Sequence, residues 1–160
     1  MSPLDKIKIF LVDDDAVFTK ALALSLSTGQ ADVRTFSSGE ECLKSLDENP
    51  QIIVLDYSLN NCLNGIQILN RIKQSSPDTE VIMLSNTLDT VVQNDTLKYG
   101  AYDFIEKGEN AIYRLKKDIK YLCDKLQTAR ESEKENNRLL WVNAAIILVI
   151  VLIFILTHIK

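Results

Sequence analysis

Ile52-Ile53-Val54-Leu55-Asp56 is a run of four apolar residues, mostly β-branched, that ends in one carboxylate. Asn49-Pro50 bounds it on one side and a polar, Asn-rich segment on the other, so it reads as a buried parallel strand. Asp56 then stands at the carboxyl end, where open α/β sheets keep their sites. A second run, Ile7 to Val12, ends in Asp13, Asp14 and Asp15. As parallel neighbours the two strands deliver these carboxylates to one sheet edge, where they repel each other. A hard divalent cation such as Mg²⁺, held by a few carboxylate oxygens and waters, is the economical counter-ion.

Outward from these strands, strand and helix patterns alternate. Ala16 to Thr28 carries Phe18, Ala21, Leu22 and Leu26 at helical spacing, with Gly29 as a stop, and Asp32 to Phe36 is a second strand. Ser37 and Ser38 each stand three residues before a glutamate, a capping-box signature for the helix bearing Cys42, Leu43 and Leu46. After the polar loop Tyr57 to Asn64, with Asn64 as cap, comes a helix with Ile66, Leu69 and Ile72 or Ile68 inward. Val81 to Ser85 is the fourth strand, Asp89 to Lys98 a helix stopped near Gly100, and Tyr102 to Ile105 the fifth strand. Strict alternation implies a parallel sheet covered on both faces. The last helix starts near Asn110, with Ile112, Leu115, Ile119, Leu122 and Leu126 recurring at three and four residues; its first half is expected to pack on the sheet. Ala129, Glu133 and Asn136 do not continue a coiled-coil seam, so that stretch reads as a solvated stalk.

From Leu139 to Thr157 nineteen residues carry no charge, and fourteen of them are Leu, Ile, Val or Phe. At about 1.5 Å per residue this helix approaches the roughly 30 Å of a bilayer's hydrocarbon core. It is therefore predicted to span a membrane, with Trp141 at the interface. The absence of Gly gives little support for close helix pairing through small residues. Nothing in Met1-Ser-Pro-Leu-Asp5 resembles a signal peptide. The expectation is a tail anchor in the inner (cytoplasmic) membrane: a globular domain over 1–125, a stalk over 126–138, the span over 139–157 and a far-side tail over 158–160.

Charge places the domain on the cytoplasmic side. Residues 1–113 carry nine Lys/Arg against seventeen Asp/Glu, net −8, and residues 114–138 carry eight against five, net +3. Arg130, Lys134 and Arg138 precede the span, as the positive-inside tendency expects. Cys42, Cys62 and Cys123 are odd in number and lack metal-ligand spacing, so free thiols in a reducing compartment are expected. An acidic domain with no basic recognition helix excludes nucleic acid as a partner.

Two more strand ends complete a chemistry. A carboxylate beside a Mg²⁺ held by two others is a phosphoryl acceptor in outline, with Asp56 attacking. Ser85 can donate its hydroxyl to a phosphoryl oxygen, and Lys107, just after the fifth strand, supplies a point positive charge.

In Phe10-Leu-Val-Asp-Asp-Asp15, Ile53-Val-Leu-Asp56, Ile82-Met-Leu-Ser85 and Gly100-Ala-Tyr-Asp-Phe-Ile-Glu-Lys107 the chain resembles a response regulator receiver domain, over about residues 5 to 125. The resemblance implies a five-stranded, doubly wound, flavodoxin-like fold. It implies Asp56 as the residue phosphorylated by a histidine kinase or phosphotransfer protein, rather than an enzyme active site. Asp14 would be a direct Mg²⁺ ligand, Asp13 would act through water, and the backbone carbonyl of Ser58 would be a further ligand. Ser85 would be the switch hydroxyl, Phe104 the aromatic rotamer that reports it, and Lys107 the phosphoryl-binding lysine. Phosphorylation would then turn the face of the fourth helix, fifth strand and fifth helix into a surface for a downstream protein or a second copy.

The chain departs from the family at three places. Leu59-Asn60 replaces the usual Met-Pro, and Gly65 lies nine residues beyond the acceptor rather than eight. Gly108 follows the lysine where a cis proline is usual, and a trans, looser turn is expected there. Asn86 fills a position that is usually very small, where it would shield the phosphoryl group or alter its lifetime. No output domain follows, so a single-domain regulator acting by protein contact is expected. Two alternatives exist: an unphosphorylated docking module on the membrane, and a haloacid dehalogenase-like phosphatase. In the second, Asp13 would be the nucleophile and Asp15 the acid/base, which leaves Asp56 unexplained.

Overall fold

The computed structural model describes residues 6–26, 31–59, 64–86 and 89–158, and at 157 the backbone only. Five strands alternate with helices. They are β1 (Ile7–Val12), α1 (Ala16–Leu26), β2 (Ala31–Phe36), α2 (Gly39–Lys44), β3 (Ile52–Asp56), α3 (Gly65–Ser75), β4 (Glu80–Ser85), α4 (Thr90–Lys98), β5 (Asp103–Glu106) and α5 (Ala111–His158), with a short 3₁₀ turn at Leu46–Glu48. The strands form one parallel sheet in the order β2-β1-β3-β4-β5, with helices on both faces as expected. Every residue of β3 is buried, in keeping with a central strand covered on both sides.

Capping residues fix where the helices begin. Asn64 and Gln67 exchange side-chain and backbone hydrogen bonds in a complete capping box at 3.0 and 3.1 Å. At α2 the Ser38 hydroxyl accepts from the Glu41 N–H, but the Glu41 carboxylate accepts from the Ser37 hydroxyl, so the expected reciprocal box is only half made. Asp89 caps α4 through Val91 and Val92. Asn49 takes a left-handed φ of 55° and ends the 3₁₀ turn, as the Asn49-Pro50 pair suggests.

The core on one side of the sheet joins Phe10, Phe36, Ile53, Leu55, Ile68, Leu69, Ile72, Met83 and Phe104. Three inward faces differ from expectation. On α3 Ile68, Leu69 and Ile72 are all buried, while Ile66, expected inward, is only half-buried. On α1 the buried residues are Thr19, Leu22 and Leu26, with Phe18 half-buried and Ala21 exposed; α1 is apolar nearly all round, so periodicity could not orient it. On α5 Ala111, Leu115 and Ile119 are buried while Ile112 is exposed. The small Ala111 permits close approach, and the larger Ile112 is turned toward the carboxyl edge of the sheet. The segments 27–30, 60–63, 87–88 and 159–160 lie outside the described residues, and with them fall the predicted Gly29 stop, Cys62, most of the loop insertion and the far-side tail after His158.

Cys42 is fully buried in this core, and burial pushes its thiol up to about 12 against a weak opposing pull from Arg34. A rise of about three units leaves roughly 1,000-fold less thiolate near neutral pH than an ordinary cysteine has. Iodoacetamide is therefore expected to modify Cys42 at least about 1,000-fold more slowly in the native than in the unfolded chain, read by peptide mass spectrometry. Native labelling at the unfolded rate would show that α2 does not hold this thiol in the core.

The chain divides into two compact units, residues 1–120 and 121–160. In the second unit the large apolar residues from Leu139 to Leu156 are all exposed, from 43 % at Ile155 to 78 % at Trp141. By length and composition this helix is the one among the described residues able to cross a membrane.

Candidate functional site

Parallel register brings chemistry from β1, β3, β4 and β5 to one edge of the sheet. Val12 pairs with Leu55, Asp56 with Leu84, and Ser85 with Glu106. Asp13 therefore emerges beside Asp56, and Lys107 beside Ser85. The chain leaves β1 toward β2 on one side of the sheet and β3 toward β4 on the other. The crevice between β1 and β3 is thus the topological switch point, where such sheets bind ligands.

Asp13, Asp14 and Asp56 each present a carboxylate oxygen within 4.8 Å of the other two. Asp13 and Asp56 are 3 % and 2 % exposed, whereas Asp14 is exposed. Lys107 Nζ lies 2.7 Å from Asp13 Oδ2 and 3.0 Å from Asp56 Oδ2, bridging the first and third strands from the fifth. The contact with Asp13 Oδ2 is an ion pair without an aligned hydrogen bond. The other oxygens are held by backbone: Asp13 Oδ1 accepts from the Asp15 N–H at 2.9 Å, and Asp56 Oδ1 from the Ser58 N–H at 3.2 Å.

Electrostatics here is a contest between burial and pairing. Burial raises the Asp56 carboxyl, and the like charge of Asp13 adds to this. Lys107 and the Ser58 N–H oppose them without cancelling the rise, so Asp56 holds its proton to a higher pH than an ordinary aspartate. Burial pulls the Lys107 ammonium down, but Asp13 and Asp56 outweigh it and its pKa is raised. Lys107 is therefore charged throughout the physiological range. Three carboxylates against one ammonium leave the crevice net negative.

A cleft of about 610 Å³ opens over this group, lined by Asp13, Asp14, Asp15, Asp56, Ser58 and Lys107, with Phe18, Asn86, Gly108, Ala111 and Ile112 around them. Ser58 and Asn86 thus reach the cleft with the expected charged residues. Ser85 is fully buried behind it, its carbonyl accepting from the Lys107 N–H at 2.6 Å. Phe104 is packed in the core. No peptide bond among the described residues is cis, so the turn at Gly108 is trans. Sequence reasoning missed Phe18, Ala111 and Ile112 as lining residues. Phe18 sits three residues past the acidic triplet with its ring 5.3 Å from Lys107 Nζ, and proximity to the triplet was the available signal.

Asp15 plays a different part from its neighbours. Its Oδ1 accepts from the Val17 and Phe18 N–H groups at 2.9 and 3.0 Å, and its backbone carbonyl accepts from the Thr19 hydroxyl. Its side chain thus caps the start of α1 while Asp15 still lines the cleft.

A family model for the response regulator receiver domain matches residues 9–120. The chain belongs to this family. Receiver domains are phosphoacceptors rather than enzymes of the ordinary kind. Similar proteins include the transcriptional regulatory protein CpxR homolog of Haemophilus influenzae, 34 % identical over 64 % of this chain and 44 % of that protein. The alkaline phosphatase synthesis transcriptional regulatory protein PhoP of Bacillus subtilis is 34 % identical over 62 % of this chain and 42 % of its own length. The chain thus spans less than half the length of these curated relatives. Among solved structures, the BeF₃-activated DrrB receiver domain superposes with a TM-score of 0.68 at 30 % identity, covering 74 % of this chain and 98 % of that one.

Proposed function

We propose that this receiver accepts a phosphoryl group on Asp56 in a Mg²⁺-dependent reaction, from a histidine kinase or phosphotransfer protein, while anchored to a membrane by its C-terminal apolar helix. The observation that carries the phosphotransfer reading is Asp56 at the switch point, buried, with Lys107 Nζ 3.0 Å away and two further carboxylates in reach. The donor set fits a hard dication: three carboxylates converge, and one is exposed enough to keep water in the shell. Asp13, Asp14, Asp56 and the Ser58 carbonyl would hold it, and when bound it supplies positive charge to the oxygens of the transferring group.

The chain's own residues do the rest. An Asp56 carboxylate oxygen forms the new O–P bond as the donor's bond to phosphorus breaks and the leaving group departs with the electron pair. Lys107, charged at every physiological pH, stabilises a phosphoryl oxygen, and the Ser85 hydroxyl is the switch contact that Phe104 follows. The face of α4, β5 and the start of α5 then carries the signal to a downstream protein or a second copy.

Membrane anchoring is supported by eighteen consecutive residues, Leu139–Leu156, without a charge and with every large side chain exposed. Water disfavours such a surface, and a bilayer favours it. The net positive stretch ahead of it, residues 114–138, supports a cytoplasmic receiver.

The test uses the full chain in vesicles with a small acyl phosphate and Mg²⁺, read by intact mass. One added phosphoryl group is expected, absent without Mg²⁺ and absent in Asp56→Asn. An adduct that survives in Asp56→Asn places the acceptor elsewhere. No adduct together with no detectable Mg²⁺ binding would leave a membrane-tethered docking module as the better account. Resistance of the chain to extraction by alkaline carbonate tests the anchor separately.

A further inference from the structure

Asn143 interrupts the apolar surface of α5. Its carboxamide carries two N–H donors and a carbonyl acceptor, yet it lies between Trp141 and Ile146 in a segment otherwise made of apolar residues up to Leu156. The position is exposed, and so are Leu139, Leu140, Val142, Ile146 and Ile147 around it. Backbone N–H and C=O groups of the surrounding turns are committed to the helix's own ladder. In hydrocarbon a lone helix therefore offers this amide no full set of partners.

The neighbours of Asn143 follow a seam. Leu139 stands four residues before it, and Ile146, Ile150 and Ile153 follow at steps of three, four and three. This is the spacing that keeps one stripe facing a partner helix in a left-handed pair, and a polar amide at one seam position fixes register and the number of strands. Beside the seam a shallow, open depression lies over the small Ala145, bordered by Val142, Ile146, Val149 and Ile150, so that it shares Ile146 and Ile150 with the seam.

The chemistry of the amide selects the partner. A carboxamide is self-complementary, since its N–H meets the carbonyl of another carboxamide. Every copy inserted in the same direction carries Asn143 at the same depth, whereas an unrelated helix needs a polar group of its own at that level. With no charge from 139 to 157 there is nothing on this surface to recognise a charged partner.

We propose that the apolar segment of α5 pairs in parallel with that of a second copy, registered by an Asn143–Asn143 amide contact and closed by Ile146, Ile150 and Ile153. This rests on the reading of that segment as a membrane span. It places a self-association surface in the membrane, separate from any association of the receiver faces.

The experiment uses full chains tagged with donor or acceptor fluorophores and reconstituted together in phosphatidylcholine vesicles, at increasing lipid-to-protein ratio. Carbonate extraction of the same vesicles is done first. Energy transfer is expected to persist on dilution for the native chain and to need about 3- to 20-fold more protein per lipid in Asn143→Leu, with partial rescue in Asn143→Gln. In a cysteine-free background, single cysteines at 146, 150 and 153 are expected to cross-link, and those at 144, 148 and 151 are not. A chain that resists carbonate yet shows no transfer, or shows transfer indifferent to Asn143→Leu, overturns the dimer and leaves the span intact. Cross-linking without this periodicity overturns it equally. A chain released by carbonate overturns the span, and the dimer with it.

Discussion

Lys107→Ala is expected to lower the melting temperature of the metal-free protein by roughly 10 °C, and saturating Mg²⁺ is expected to recover most of the loss. Lys107 is the cation that pairs with both Asp13 and Asp56, which are 3 % and 2 % exposed. Truncating it leaves two carboxylates buried without a counter-charge. Breaking a buried pair in this way costs about 3–5 kcal/mol, and the low end applies because the Lys107 side chain is itself 16 % exposed. About 3 kcal/mol in a domain of this size corresponds to about 10 °C. Because the folded-state pKa of Lys107 is raised, its contribution is fully present below the unfolded lysine value of about 10.4 and is lost only as pH rises through the folded value. The loss in Lys107→Ala should therefore be nearly constant between pH 7 and 9. Differential scanning calorimetry with and without Mg²⁺ measures it. An equal loss in both conditions would show that the lysine acts through packing rather than charge, and no loss would remove the ion pair from the account.

The second large effect is expected at Gly65, the first residue of α3. A Cβ there would stand 2.7 Å from Tyr57 Cα and 3.0 Å from the Asp56 carbonyl oxygen, with Met83 Cε at 2.8 Å. The methionine can move aside, but the backbone of the acceptor cannot move without carrying Asp56 with it. Gly65→Ala is expected to cost about 1–3 kcal/mol as overpacking, partly offset by alanine's better helix propensity. It is also expected to weaken Mg²⁺ binding, because α3 presses directly on the residue pair Asp56-Tyr57. Gly108→Ala is the matched control, with nothing within 4 Å of its added Cβ and no expected loss. Calorimetry and Mg²⁺ titration of both variants decide the matter. Gly65→Ala with native stability and native Mg²⁺ affinity would mean that α3 and the end of β3 are not in rigid contact.

Both predictions rest on features that differ in how far they could be read from the chain. The order of strands and helices, and the carboxylates at strand ends, follow from local pattern: short apolar runs stop at Asp13, Asp56 and Ser85, and each stop is the last residue of a strand or the one just after it. Helix faces were legible only where polar residues interrupt them. On α3 charged and amide residues mark the inward side well enough to find Leu69, Ile72 and Ile68, though Ile66, also expected there, is only half-buried. On α1, where Val17, Ala21 and Leu24 are apolar but exposed, pattern could not choose. At Ala111 and Ile112 a small residue won the buried place over a large one, because space against the sheet rather than hydrophobicity decided the outcome. Asp15 shows the same limit in the site. Three adjacent aspartates look alike in sequence, and only the turn into α1 commits the third to backbone N–H groups. The pairing of Lys107 with both Asp13 and Asp56 joins residues far apart in the chain and depends on sheet register, which no local pattern carries.

That long reach gives the ion pair a temporal meaning. Synthesis delivers Asp13 first and Asp56 next, and Lys107 only when the last strand of the sheet has been made. A nascent or partly unravelled receiver without β5 in place has its acids and no lysine to pair them, so the carboxylates at its edge repel each other. Completion of the sheet and neutralisation of its buried acids are the same event.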